Sequence, residues 1–218
     1  MERIDINGEE SRSRNWWRVG DAATWLAYVC VVAWTIRYHE KWADEAQSWL
    51  IARDLDLQTI WFHELRYEGS PGLWHTILWV AQHVFHAGYG ALGYIGLGFA
   101  VAGAAVLLFL APFPRIVRWP LAFTYVMVYQ YAVIARPYTL LPLLAFCAAF
   151  LFKNTEHPER ITIVLVLLAN LTLHGTLLAG SLGLTYLIEA LRSWSGQNAT
   201  VRKRYFACIA VMALTLIF

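Results

Sequence analysis

The chain has 218 residues, of which 59% are hydrophobic and 15% charged, with a net charge of +2; soluble domains run at roughly 45–50% and about 25%. This balance excludes an ordinary soluble domain, and with basic residues scattered through short loops the net charge gives no sign of a nucleic-acid partner. The apolar runs are continuous rather than alternating, which excludes a β-barrel and predicts an all-α, polytopic membrane helical bundle.

Residues 1–21 carry both signs of charge (Arg12, Arg14 and Arg18 against Glu2, Glu9 and Glu10) and lack the basic start and small-residue cleavage site of a secretory signal. They read as a cytoplasmic N-terminal tail, and Ala22–Ile36 as a retained first span. Residues 22–218 then form one membrane module. Cys30, Cys147 and Cys208 fall in apolar runs and read as small buried hydrophobes. The sequons at Asn170 and Asn198 read as chance matches.

The break from Arg37 to Ser70 sets four basic residues against seven acidic ones, so it belongs outside the membrane on the non-cytoplasmic face. It holds Asp44 and Glu45. Asp44 followed by Gln47 fits a helix N-cap, while a carboxylate pair at a membrane surface also suits catalysis or cation binding. Glu45 points away from Asp44 on a helix and reads as a supporting or solvated group. A helix over Asp44–Leu55 is predicted along the membrane surface, with Trp42, Ala46, Trp49 and Leu50 on one face.

Arg66 to His75 follows with a Gly/Ser/Pro turn that opens an aromatic helix, whose Trp74 and Trp79 suit an interfacial belt. His75 is either a solvated interfacial residue or a ligand for phosphate or a sugar hydroxyl. Pro71–Ala87 also carries Gln82, His83 and His86, poor company for lipid. It is predicted as an interfacial or partly inserted helix that leads into one crossing to about Ala111.

Further apolar runs at Pro120–Ala135, Tyr138–Phe152, Ile161–Leu173, Thr176–Leu191 and Tyr205–Phe218 bring the total to about seven crossings. The basic breaks at Arg115/Arg118 and Arg192/Arg202/Lys203/Arg204 then face the cytoplasm. Arg136 and His174 reach the same outer face as Asp44 and Glu45. Arg136 either snorkels to the interface or marks a ligand path, and His174 before Gly175 is either a loop residue or a ligand. The apolar stop at Leu214–Phe218 reads as the end of a truncated module.

The order of an Asp-Glu-Ala motif in the first outer loop, an aromatic helix after Ser70-Pro71-Gly72-Leu73, Ala135-Arg136-Pro137-Tyr138 about 90 residues later and a His at an outer span end resembles the multi-span C-type glycosyltransferase superfamily, such as protein O-mannosyltransferases and lipid A aminoarabinose transferases. The resemblance covers about Trp25 to Phe218. It implies Asp44 as catalytic base, Glu45 as its acidic neighbour, and Arg136 and Tyr138 in the loop facing the lipid-phosphate donor, with His75 and His174 as further substrate-binding residues. Two departures stand out: Ser70 replaces the usual His, and Ile134 replaces a carboxylate that many relatives carry. The second removes a ligand for a divalent ion, so no metal or other cofactor is expected.

The implied activity is transfer of a sugar, with inversion, from a polyprenyl-phosphate-linked donor to an acceptor hydroxyl on the outer face of a bacterial inner (cell) membrane. The expected partners are the lipid-linked donor and membrane lipid; the acceptor is left open and no nucleic acid is expected. The rival classes are a transporter or flippase of a lipid-linked substrate, and an inactive membrane scaffold. The transferase reading requires the charged atoms of Asp44 and Arg136 to lie within roughly 15 Å of each other, the span of a sugar, its phosphate and an acceptor group. A direct ion pair between them would count toward a structural role.

Overall fold

The computed structural model describes residues 6–64, 70–152, 157–192 and 199–217, and within these it is all-α. A long helix, α1 (Ile6–Thr35), leads through a 3-10 turn to α2 (Ala43–Asp54), α3 (Leu73–His83) and α4 (Ala91–Ala105), which a π turn extends to Leu110. The rest comprises α5 (Arg115–Ala122), a π turn (Val126–Gln130), a 3-10 turn (Pro137–Leu140), α6 (Leu141–Leu151), α7 (Pro158–Ala169), α8 (Leu173–Arg192) and α9 (Ala199–Ile217).

α1 runs unbroken through Asp21, so the described part of the expected tail is the opening of this helix. Asp21 is buried and accepts from Arg115 Nε at 3.2 Å and Trp119 Nε1 at 2.8 Å. A carboxylate taken from water needs such partners. Further along, Trp25 Nε1 donates to the Val101 carbonyl at 3.1 Å and Tyr28 hydroxyl to that of Met127 at 2.8 Å. Near the far end, Ile36 packs against Gly93. α1 and α4 are therefore antiparallel neighbours, sealed by Tyr28, Val32, Ala100, Ala104 and Leu107.

Small residues let α4 approach its other neighbours closely. A Cβ on Gly96 would stand 3.3 Å from the Ala135 Cα, and one on Gly103 3.1 Å from the Leu143 backbone nitrogen. Backbone contact of this kind is how helices pack without large side chains between them. α7 lies between α6, α8 and α9 around Leu144, Ile161, Leu165 and Leu168. Its last turn reaches α3, where Leu73 N donates to the Asn170 carbonyl at 3.0 Å. Its first turn meets α9, where Arg204 lies 3.8 Å from Glu159.

Among the described residues two segments, Trp16–Tyr38 and Ala91–Leu110, are long and apolar enough to cross a membrane. The single continuous span expected over Pro120–Ala135 is replaced by two pieces: α5 ends at Ala122, Phe123–Thr124 turn, and the chain resumes as a π turn. Of the other expected spans, α6 has 11 residues and α7 has 12. The expected separation of Pro71–Ala87 from the next crossing is present: α3 stops at His83, and His86 takes a positive φ of 51° in the turn before α4. Cys30 is exposed on α1 rather than buried, and Cys147 and Cys208 are half-buried.

Candidate active site

α2 starts two residues earlier than the Asp44 cap requires. Trp42 is its N-cap, with extended backbone (φ −76°, ψ 162°), and Asp44 falls in the first turn. Glu45, three residues after the cap, reaches back to it: its Oε2 accepts from Trp42 N at 2.8 Å. That contact satisfies an amide the helix leaves open. The Asp44/Gln47 capping box is thus corrected to a Trp42/Glu45 arrangement. The expected apolar face is also only partly present, since Trp49 is buried while Trp42 and Leu50 are exposed.

Of the two readings of Glu45, supporting or solvated, the structure shows the first: it is 1% exposed and holds three donors. Oε2 takes His39 Nε2 at 2.8 Å as well as Trp42 N, and Oε1 takes Ala135 N at 2.7 Å. One carboxylate thereby ties the 3-10 turn after α1, the start of α2 and the turn before Arg136. Charge-assisted bonds of this kind are roughly twice as strong as neutral ones.

With Ala135 fixed, Arg136 follows in extended conformation (φ −122°, ψ 170°) before Pro137 opens its 3-10 turn. Its Nη2 lies 2.9 Å from Asp44 Oδ2, with the two side chains 34% and 56% exposed. The two charges are far within the expected reach, but they form the direct ion pair that favours a structural role. Arg136 also lies over the Tyr138 ring at 5.8 Å, and the Tyr138 and His174 rings are 6.2 Å apart. Asp44, Arg136, Tyr138 and exposed His174 therefore make one row at the end of the helices where α2 and α3 sit. Arg115 and Arg204 lie at the opposite end, beside Asp21 and Glu159.

Beside the ion pair opens a cavity of about 260 Å³, lined by Asp44, Gln47, Ser48, Ser70, His75, Arg136 and Pro137. Asp44, Gln47 and Ser48 share one face of α2, and the three- and four-residue spacing that puts them there is visible in the sequence. Tyr138 and His174 lie outside this lining, on the row that continues from Arg136. Ser70 contributes to the wall; Arg66–Gly69 lie outside the described residues. Among the described residues no three His, Cys, Asp or Glu gather as a metal site.

His75 is neither solvated nor charged. It is 1% exposed, and neither ring nitrogen has a hydrogen-bond partner among the described residues. Burial, which disfavours the imidazolium, pushes its pKa down from 6.5 to about 4. The unfolded chain therefore binds a proton near pH 6.5 that the folded chain declines until about pH 4. Stability contributed by neutral His75 is complete above that window and falls on acidification through it. Melting temperature followed from pH 7 to pH 4 should drop less steeply in His75→Leu than in the parent protein; equal slopes would show that another group governs the acid limb.

Comparison with protein-family models, curated proteins and solved structures returns no match to this chain.

Proposed function

We propose that the chain is a multi-span membrane glycosyltransferase of the C-type superfamily, using a polyprenyl-phosphate sugar as donor. The observation that carries this reading is the meeting of Asp44 and Arg136, about 90 residues apart in sequence, at one polar cavity on the end of an otherwise apolar helical assembly. Asp44 deprotonates an acceptor hydroxyl, which attacks the anomeric carbon from the face opposite the phosphate and inverts it. Arg136 balances charge gathering on the departing phosphate. Tyr138 and His174 line the approach on the far side of Arg136. Glu45 acts by positioning rather than on the substrate.

The direct ion pair is compatible with this mechanism because it is half exposed. Pairs of that kind are worth about 0–1 kcal/mol, so a donor phosphate can replace Asp44 on Arg136 and release the carboxylate for proton transfer. The same contact favours a second reading, in which Asp44 and Arg136 only clamp α2 to the loop before α6 and the assembly serves transport or scaffolding. In vesicles supplied with a farnesyl-phosphate sugar, the transferase reading requires Asp44-dependent release of farnesyl phosphate, with Asp44→Asn still folded. No release by the parent protein would favour the clamp, and undiminished release in Asp44→Asn would remove Asp44 from the chemistry.

We place the end bearing Asp44, Arg136 and His174 on the outer face of a bacterial cell membrane and the end bearing Arg115 and Arg204 in the cytoplasm. The support is charge bias, since cytoplasmic loops collect Lys and Arg. The large apolar side chains exposed along the helices, among them Leu26, Trp34, Phe109, Ile163 and Leu184, suit lipid contact over several crossings. In intact cells a membrane-impermeant thiol reagent should label Cys introduced at exposed Glu40 and not at Arg115. Labelling of position 115 from outside would overturn the orientation.

A further inference from the structure

The cavity is divided by charge. Its ionic groups, Asp44 and Arg136, stand together, while Gln47, Ser48, Ser70 and His75 supply uncharged polar groups to the rest of the wall. Ser48 Oγ already donates to the Asp44 carbonyl at 3.1 Å. Among the described residues His75 has no hydrogen-bond partner: both ring nitrogens are buried and unpaired there. Buried polar atoms are normally paired, and an unpaired one in a folded protein calls for an explanation. His75 belongs to the wall of a polar cavity, so a small turn of its ring on ligand binding would let a ligand pair these nitrogens.

We propose that His75, with Ser70 and Gln47, forms an uncharged hydroxyl-binding wall, so that the site takes a neutral glycosyl group beside the phosphate held by Arg136 and rejects one bearing a carboxylate. This rests on the glycosyl-transfer reading and narrows its substrate class. A neutral imidazole has one donor and one acceptor, which is what a sugar hydroxyl presents in return. The low pKa of His75 agrees, because it leaves the ring uncharged at neutral pH. A carboxylate there would set its lone pairs against the acceptor nitrogen, would lie close to the Asp44 charge, and among the described lining residues would find one cation, Arg136, already committed to phosphate. The volume agrees too: about 260 Å³ falls just below the roughly 300 Å³ at which small-molecule pockets begin. That suits a single ring, with the lipid tail left outside.

The test uses the full chain in lipid nanodiscs and three probes that share one tail: farnesyl phosphate, farnesyl phosphoryl glucose and farnesyl phosphoryl glucuronic acid. Binding is read by displacement of radiolabelled farnesyl phosphate. The glucose probe should bind about tenfold or more tighter than bare farnesyl phosphate, as expected where a site pairs a hydroxyl, and the glucuronic acid probe no tighter than the bare one. His75→Leu should abolish the glucose preference while leaving farnesyl phosphate binding unchanged. Should His75→Leu lose farnesyl phosphate as well, His75→Phe, which keeps a ring and removes both nitrogens, decides in its place. Equal binding of the two sugar probes, or a glucose preference that survives in a variant still binding farnesyl phosphate, overturns the neutral-sugar assignment and leaves the transferase reading standing. Failure of the parent protein to bind any of the three overturns both.

Discussion

Glu45→Ala should be among the most destabilising single substitutions in this chain, by about 3–5 kcal/mol, the range seen when one partner is removed from a buried charged contact. The magnitude follows from what stays behind. Ala135 N–H, Trp42 N–H and the His39 ring would all lose their acceptor at a point 1% exposed to solvent. Each orphaned buried donor costs about 1–3 kcal/mol, partly relieved where water reaches the cavity left by the side chain. Glu45→Gln should do less damage, because one oxygen remains, but its amide would turn a donor toward other donors. For a chain of this length the alanine variant should melt roughly 6–20 °C lower in detergent. Loss of activity should accompany the loss of stability, since Ala135 is the residue that sets the direction of Arg136. A melting temperature within about 2 °C of the parent, under the same conversion, would show that Glu45 does not hold these three segments together.

Asp44→Asn should behave in the opposite way, with little change in stability and a large loss of transfer. The pair it breaks is half exposed and worth no more than about 1 kcal/mol. General-base catalysis contributes about 10²- to 10⁴-fold, so the initial rate of farnesyl phosphate release should fall by that factor while the melting curve hardly moves. Arg136→Lys sharpens the contrast. It keeps the positive charge but loses the planar fork that grips two phosphate oxygens, so a loss of roughly 10- to 100-fold is expected, with the same unmoved melting curve. A clamp without catalytic duty would give another pattern: both variants would shift melting before they shifted rate. Rate and melting measured on one preparation of each variant separate the two cases.

The outline of the fold and the meeting of the key residues were legible in the sequence for different reasons. Apolar continuity is enough to exclude strands, and charge bias is enough to bring Asp44, Arg136 and His174 to one end. The helix expected over Asp44–Leu55 is present as Ala43–Asp54, because the local signals for a helix start sit within a few residues. The supporting role of Glu45 was legible but its partners were not, because the one furthest along the chain is the backbone amide of Ala135. A backbone amide has no side-chain identity, so no pattern in the sequence marks it. The burial of His75 was not legible, because whether an imidazole near an aromatic helix is wet or dry depends on packing by residues distant in sequence. The break at Phe123–Thr124 escaped because its neighbours are as apolar as a true span, and hydropathy is insensitive to a turn that lies in an apolar setting.

The short helices bear on the membrane itself. α7 with 12 residues rises about 18 Å at 1.5 Å per residue, and α6 together with the 3-10 turn before it covers only Pro137–Leu151, against a hydrocarbon thickness of roughly 30 Å. In the multi-span arrangement the bilayer must thin around this side of the protein, or flanking residues must reach past it, and either adjustment carries an energy that grows with the mismatch. A thinned leaflet lowers the headgroup plane toward the row of Asp44, Arg136 and Tyr138. A phosphate carried on a long prenyl chain would then arrive at the height of the cavity without being lifted from the bilayer, and the acyl-chain length of the host membrane becomes one of the variables that set how the site is reached.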